Sequence, residues 1–258
     1  MSEFIKVERS PRNAGIQIIR IDRPPRNSMT LETYRQLLSA LRESSLDTSV
    51  LCVILTGSGD KSFVAGGDLN EHAQLDPQSA QTRTALIRDV FAAVRTHRVP
   101  VIAAVNGFAL GGGLALMASC DIVVAADTAK FGLPEVKVGI MGGTRHLRRL
   151  VPDKVVRMMA FTGNMVDASY FHQLGAIQEV VPLSELMDAA TKIADDICQY
   201  SPACIKLMKE TMNLTEHMDL DEGYHVECFA TSIIKSNPEA KEALAAVLEK
   251  RKPNFKIG

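Results

Sequence analysis

The stretch Asn106–Asp121, "NGFALGGGLALMASCD", decides how this chain reads. Three consecutive glycines, Gly111 to Gly113, open a segment that otherwise has the apolar texture of a buried helix. Each glycine in a helix costs roughly 1 kcal/mol against alanine, so the triplet must serve something other than helix stability. The run before it, "VIAAV" (101–105), and the run after it, "IVVAA" (122–126), are continuous apolar segments without polar alternation. Such runs predict strands buried on both faces. The triplet is therefore a corner between a buried strand and a short helix. A helix start leaves backbone N–H groups without internal acceptors, and glycine lets another molecule approach that backbone closely.

A second corner of the same kind lies upstream. "VLCVILT" (50–56) reads as a strand and runs into "TGSGDKSFVAGGDL" (56–69). A further strand is predicted at "GIQIIRI" (15–21). Between the strands, "LETYRQLLSALRES" sets Leu31, Tyr34, Leu37, Leu38 and Leu41 on one helical face, with Thr30 as N-cap. "SAQTRTALIRDVFAAVRTH" (79–97) repeats the pattern through Leu86, Val90, Phe91 and Val94. From about Pro182 the texture changes to successive amphipathic helices, with Pro202 and Pro238 suited to first-turn positions. The chain thus reads as an α/β body followed by a helical C-terminal part. No internal sequence repeat is visible.

Composition narrows the function. Of 258 residues 46% are apolar and 23% charged, and the net charge is −1. No global field favours nucleic acid or an anionic membrane. No apolar run is long enough to span a bilayer, and the N-terminus lacks a basic region followed by an apolar run. The five scattered cysteines form no CxxC and read as reduced, mostly buried thiols, which predicts a cytoplasmic protein. The basic clusters "RHLRR" (145–149) and "KRK" (250–252) are either solvated faces or, more sharply, a seat for a small ligand's phosphates.

The glycine corners fit neither a phosphate loop nor a dinucleotide fingerprint, and there is no nucleophile elbow, zinc-protease motif or metal-type Cys/His cluster. What remains is one N–H from each corner converging on a single oxygen. That arrangement stabilises charge developing on a thioester or ester carbonyl. Tight strand–helix packing is the structural alternative.

"SFVAGGDL", followed by "PVIAAVNGFALGGGLALMASCDIVVAADTAKFGLPEVKVGI" and the tail "AVLEKRKPNF", resembles the crotonase superfamily, also called the enoyl-CoA hydratase/isomerase family. The resemblance extends over nearly the whole chain. It implies an α/β fold of repeated ββα units wound into a spiral, with the acyl-CoA site in a core over 1–195. It also implies a helical oligomerisation region over 196–258, in a homotrimer or homohexamer. Gly67 and Gly112 would be the oxyanion donors. Ala65, Gly66, Asp68 and Leu69 would contact the substrate, and Arg26 would lie near the coenzyme A phosphates. Coenzyme A would enter as part of the thioester, with no metal or redox cofactor.

Family hydratases carry two glutamates, at the positions of Ala115 and Glu135. Here only Glu135 is an acid. One acid beside an oxyanion hole suffices for a 1,3-proton shuttle, so isomerisation of an enoyl-CoA double bond is the preferred expectation. Hydration using Glu135 and another group, or acyl-CoA binding without turnover, are the alternatives. The loop after Glu135, "MGGTRHLRRL" (141–150), is shorter than the family's usual one, and its His146 is a candidate stand-in acid or base.

Overall fold

The computed structural model describes residues 4–255. Two sheets and their helices make up the body. The larger sheet has six strands in the order β1 (Ile5–Arg9), β2 (Ile16–Ile21), β3 (Cys52–Gly57), β5 (Val101–Val105), β7 (Ile122–Ala126) and β10 (Glu179–Val181). The smaller has four, in the order β4 (Ser62–Val64), β6 (Phe108–Leu110), β8 (Lys130–Gly132) and β9 (Met165–Asp167). All pairings are parallel except β1 with β2 and β8 with β9.

Each of the pairs β3–β4, β5–β6 and β7–β8 gives its first strand to the large sheet and its second to the small one. Helical segments follow each pair. After β4 come α2 (Leu69–Ala73) and α3 (Pro77–Arg95), and after β6 comes α4 (Gly112–Met117). After β8 come a 3-10 turn (Pro134–Val138), α5 (Thr144–Leu147) and α6 (Asp153–Thr162). This is the wound ββα repeat that the resemblance implies. α1 (Leu31–Leu46) precedes the repeats and carries the expected cap, Thr30 accepting from Thr33 N–H. α7 (Ala168–Gln173) connects β9 to β10.

The long strands alternate between two cores with period two. Val53 and Leu55 of β3 and Val101, Ala103 and Val105 of β5 enter the main core beneath α1 and α3. Cys52, Ile54, Ile102, Ala104 and Val124 face the opposite way, onto Leu186, Ala190 and Ala194 of α8 (Leu186–Cys198). Burial on both faces explains why these strands carry no polar alternation. The five cysteines are free, but only Cys52 and Cys120 are buried, and Cys228 is exposed. The expectation of mostly buried thiols is corrected to that extent.

α9 (Pro202–Thr215), α10 (Leu220–Ile234) and α11 (Pro238–Leu248) follow, with Pro202 and Pro238 in the first turns as expected. The division expected at 195/196 falls within α8. One buried cation fastens α9 to the body. Lys209, 6% exposed, donates to Asp121 Oδ2 at 2.7 Å and to the carbonyl of Val99 at 3.0 Å. Asp121 also accepts the N–H of Val101 at 2.7 Å, so it ties the start of β5 to α9. Lys209 is buried whereas Asp121 reaches solvent, so removing the lysine deprives Asp121 and the Val99 carbonyl of a charged donor. Lys209→Met is expected to lower stability by about 2 to 3 kcal/mol in urea unfolding. A loss within experimental error of zero would show that the pair does not anchor α9.

Candidate active site

Three pieces of the site come from the C-terminal ends of three neighbouring parallel strands. β4 pairs with β6, and β6 with β8, so the turns leaving them sit side by side. β4 leads into Ala65–Asp68, β6 into Gly111–Gly113 and β8 into Leu133–Glu135. Sheet order thus brings together Gly67, Gly112 and Glu135, which are far apart in sequence. All three line one cavity of about 790 Å³, as do Ala65, Gly66, Leu69 and Ala115.

The geometry of each corner frees an N–H. Gly67 forms an isolated parallel bridge with Met29, in which Met29 N–H donates to Gly66 O and Asp68 N–H to Met29 O. The ladder bonds belong to its neighbours, so the N–H of Gly67 itself points away from Met29. Gly112 is the first residue of α4, and its N–H has no acceptor within the helix.

The flanking glycines have different reasons. Gly111 sits at φ 53°, and a Cβ there would meet Glu135 Oε1 at 2.6 Å. A Cβ on Gly113 would meet the carbonyl oxygen of Val64 at 2.1 Å, so that glycine lets α4 pack on β4. The strand–helix packing alternative is therefore correct for Gly113.

Glu135 rides on the 3-10 turn after β8. Its Oε2 is buried and has no hydrogen-bond partner. Burial raises its pKa above the ordinary carboxylate range. Ala115, 1% exposed, stands on α4 where a second acid is absent. Tyr34 from α1 reaches the same place. Its hydroxyl lies 2.9 Å from the point a Cβ on Gly112 would occupy, and burial pushes its pKa up to about 12. The phenol therefore keeps its proton beside the Gly112 corner. Helical periodicity had marked Tyr34 only as a core residue, because the pattern shows which face is buried and not where a side chain's polar tip emerges.

Arg83 occupies the equivalent place at the other corner. Its Nη2 is 2.6 Å from the Cβ position of Gly67. It donates to Glu71 Oε2 and Met29 O, both at 3.3 Å, while Glu71 accepts the N–H of Leu31. Arg83 was not marked by any motif.

Two expected substrate contacts lie outside the cavity lining. Asp68 caps α2 by accepting from Asn70 and Glu71 N–H and pairs with Arg23 at 2.9 Å. Arg26 is exposed, and it is its carbonyl that reaches the site strand, accepting from Ala65 N–H at 3.3 Å. The arginines of the basic cluster have partners within the chain. Arg148 pairs with Asp153 at 2.8 Å, Arg149 with Glu216 at 2.8 Å, and Arg145 Nη2 lies 3.0 Å from His217 Nε2. Arg251 of the second cluster is held by Glu242 and Glu249. His146 alone of residues 145–149 lines the cavity, edge-on to Phe91 with ring centroids 4.9 Å apart. Burial and the nearby Arg149, Arg145 and Arg95 push its pKa below the ordinary imidazole range.

Comparison with known proteins agrees with this geometry. The family model described as enoyl-CoA hydratase/isomerase matches residues 11–257. The short-chain-enoyl-CoA hydratase of Clostridium acetobutylicum is 38% identical over 241 residues, covering 92% of this chain and 92% of that protein. The crotonyl-CoA hydratase of Syntrophomonas wolfei is 37% identical over 244 residues, covering 93% of this chain and 94% of that protein. The crystal structure of enoyl-CoA hydratase from Bacillus anthracis superposes with a TM-score of 0.94 at 32% identity, over 99% of this chain and 100% of that one. The chain belongs to the enoyl-CoA hydratase/isomerase family, the crotonase superfamily, whose members act on acyl-CoA thioesters.

Proposed function

We propose that this protein moves the double bond of an enoyl-CoA thioester by a proton shuttle, with Glu135 as the single acid/base. The observation that carries this reading is the cavity's acid inventory. Among the described residues, Glu135 is the one carboxylate lining it, while Ala115 holds the place of a second. The thioester oxygen sits between the N–H groups of Gly67 and Gly112, where the negative charge of an enolate is stabilised by fixed donors. Glu135 takes a proton from the carbon chain on one side of the double bond and returns it on the other. Its buried, unpartnered Oε2 and raised pKa suit it to holding a proton between the two transfers. The shuttle as written needs no metal or redox group. Ala65, Gly66 and Leu69 border the thioester, and the exposed Arg26 and the Asp68 corner stand toward the coenzyme A end.

Hydration is the second reading, favoured by the names of the relatives described above. Glu135 would then deliver a water held by another group, and the Tyr34 phenol is the nearest polar candidate beside Gly112. Following 2-enoyl-CoA and 3-enoyl-CoA separately distinguishes the two. Interconversion without 3-hydroxyacyl product supports the shuttle, and accumulation of that product supports hydration. On either reading Glu135→Gln is expected to lower kcat by at least about a hundredfold. Turnover left intact would remove Glu135 from the chemistry.

Glu135 also leaves a signature in stability. Its folded-state pKa lies above the unfolded value, so the folded protein holds this proton more tightly and loses stability as pH rises through the carboxylate range. Glu135→Gln lacks that loss. The thermal midpoint of the variant should gain on the wild type as pH rises from the ordinary glutamate range, about pH 4, toward neutrality. A gap that stays constant or closes would mean the carboxyl is not desolvated.

The C-terminal helices carry exposed apolar side chains, among them Met212 at 65%, Leu220 at 86%, Phe229 at 71% and Leu244 at 62%. Such surface seeks cover, and we place the homotrimer or homohexamer contacts there. Light scattering at micromolar concentration is expected to give a mass of three or six chains. A monomer of 28.1 kDa would exclude this.

A further inference from the structure

We infer that the end of the cavity remote from Gly67 receives an acyl group terminating in a carboxylate, read by Arg95. This rests on the reading of the cavity as an acyl-CoA site, and it names the class of acyl chain.

α3 forms one wall and gives the cavity its direction. Arg83, Ile87, Phe91 and Arg95 all line it. They recur at every fourth position and so share one face of the helix. At 1.5 Å per residue, the Cα atoms of Arg83 and Arg95 are about 18 Å apart along the axis. Arg83 marks the end at the oxyanion corner, with its guanidinium against Gly67. Ala65, Gly66 and Leu69, on the coenzyme A side, belong to that end. An acyl chain leaving the carbonyl in the other direction passes Ile87 and Phe91 and arrives at Arg95, in a cavity that Ile140 and Met141 also line.

The two arginines differ in their partners. Arg83 is committed to Glu71 and to the carbonyl of Met29. The guanidinium of Arg95 has no acceptor among the described residues, although the residue is half-buried. Only its backbone carbonyl is engaged, accepting from Asn213 Nδ2 at 2.8 Å. The surroundings are positive. His146 lines the cavity nearby, and the charges that act on it are those of Arg95, Arg145, Arg149 and Glu216, the last paired with Arg149. The one carboxylate of the lining, Glu135, lies against Gly111 and Gly142.

A guanidinium against an apolar wall gains most from a ligand that supplies two oxygens in a plane. A carboxylate does this through paired N–H···O bonds. A neutral chain end would instead displace water from the guanidinium and offer nothing in return, which makes the site selective against it. Arg95 would thus determine specificity without touching the reacting atoms.

The test compares 2-enoyl-CoA thioesters of increasing length, each made with a methyl or a carboxylate at the far end. At one chain length the carboxylate member is expected to show at least about a tenfold higher kcat/KM in the wild type. Arg95→Met should abolish that ratio. If turnover is absent throughout, calorimetric binding of the saturated pairs makes the same comparison. Methyl-ended thioesters handled as well as carboxylate-ended ones at every length would overturn the inference and leave the enolate reading intact. Free coenzyme A weakened by Arg95→Met as strongly as the carboxylate-ended thioester would overturn it too, by making Arg95 a phosphate contact. Failure of every coenzyme A thioester to bind the wild type would overturn both readings.

Discussion

The parallel pairing of β4, β6 and β8 is the constraint on which the site depends. These strands have three residues each and add little stability of their own. Their order, however, aligns three C-terminal ends, and each end delivers one component of the chemistry. Parallel neighbours require a crossover between them. Here every crossover passes through the large sheet, so the rigid six-stranded layer sets the spacing of the small one. The donors of an oxyanion hole must be fixed before charge develops, because reorienting them during reaction would cost part of the stabilisation. Glycines held by a bridge to Met29 and by a helix start meet that requirement without any side chain to reorient.

Opposing demands meet at Glu135. A carboxylate useful as an acid near neutrality has to be partly removed from water, and that removal costs stability once the group ionises. The cost is confined to one residue because Ala115 adds no second charge to the same space. A like charge there would raise the pKa of the pair further. The same pocket wall carries a phenol that stays protonated and the guanidinium of Arg83. The site is therefore rich in donors and, among the described residues, has one carboxylate.

Much of this was legible in the sequence. The strands β5 and β7 fall where unbroken apolar runs predict them, because burial on both faces removes polar residues altogether. Thr30, Pro202 and Pro238 sit at helix starts, where local hydrogen bonding and fixed backbone angles act without help from the rest of the fold. Gly67 and Gly112 were found by motif. The three-residue strands were not, since three residues are too few to show a period. The ββα repeat could be read only through the family resemblance, because it recurs in geometry and not in residue identity. Arg26 and Asp68 show a further limit. A motif fixes where the backbone goes, but Asp68 is spent on a cap and an ion pair, and Arg26 contributes its carbonyl while its side chain faces solvent. The arginines of 145–149 were ambiguous for a related reason: their partners are Asp153 at the start of α6 and, far along the chain, Glu216 and His217 just past α9.

The contact between Gly111 and Glu135 has a consequence for how such sites diverge. A side chain at position 111 would occupy the space of the carboxyl oxygen, which lies 2.6 Å from where its first carbon would be. A larger residue at 111 would have to push the carboxyl aside, and at φ 53° it would be strained even with the acid gone. Loss of the acid would therefore leave the glycine still required by its backbone, whereas loss of the glycine would displace the acid. Across relatives the glycine should therefore outlast the acid, because its backbone needs it whether or not a carboxylate stands beside it.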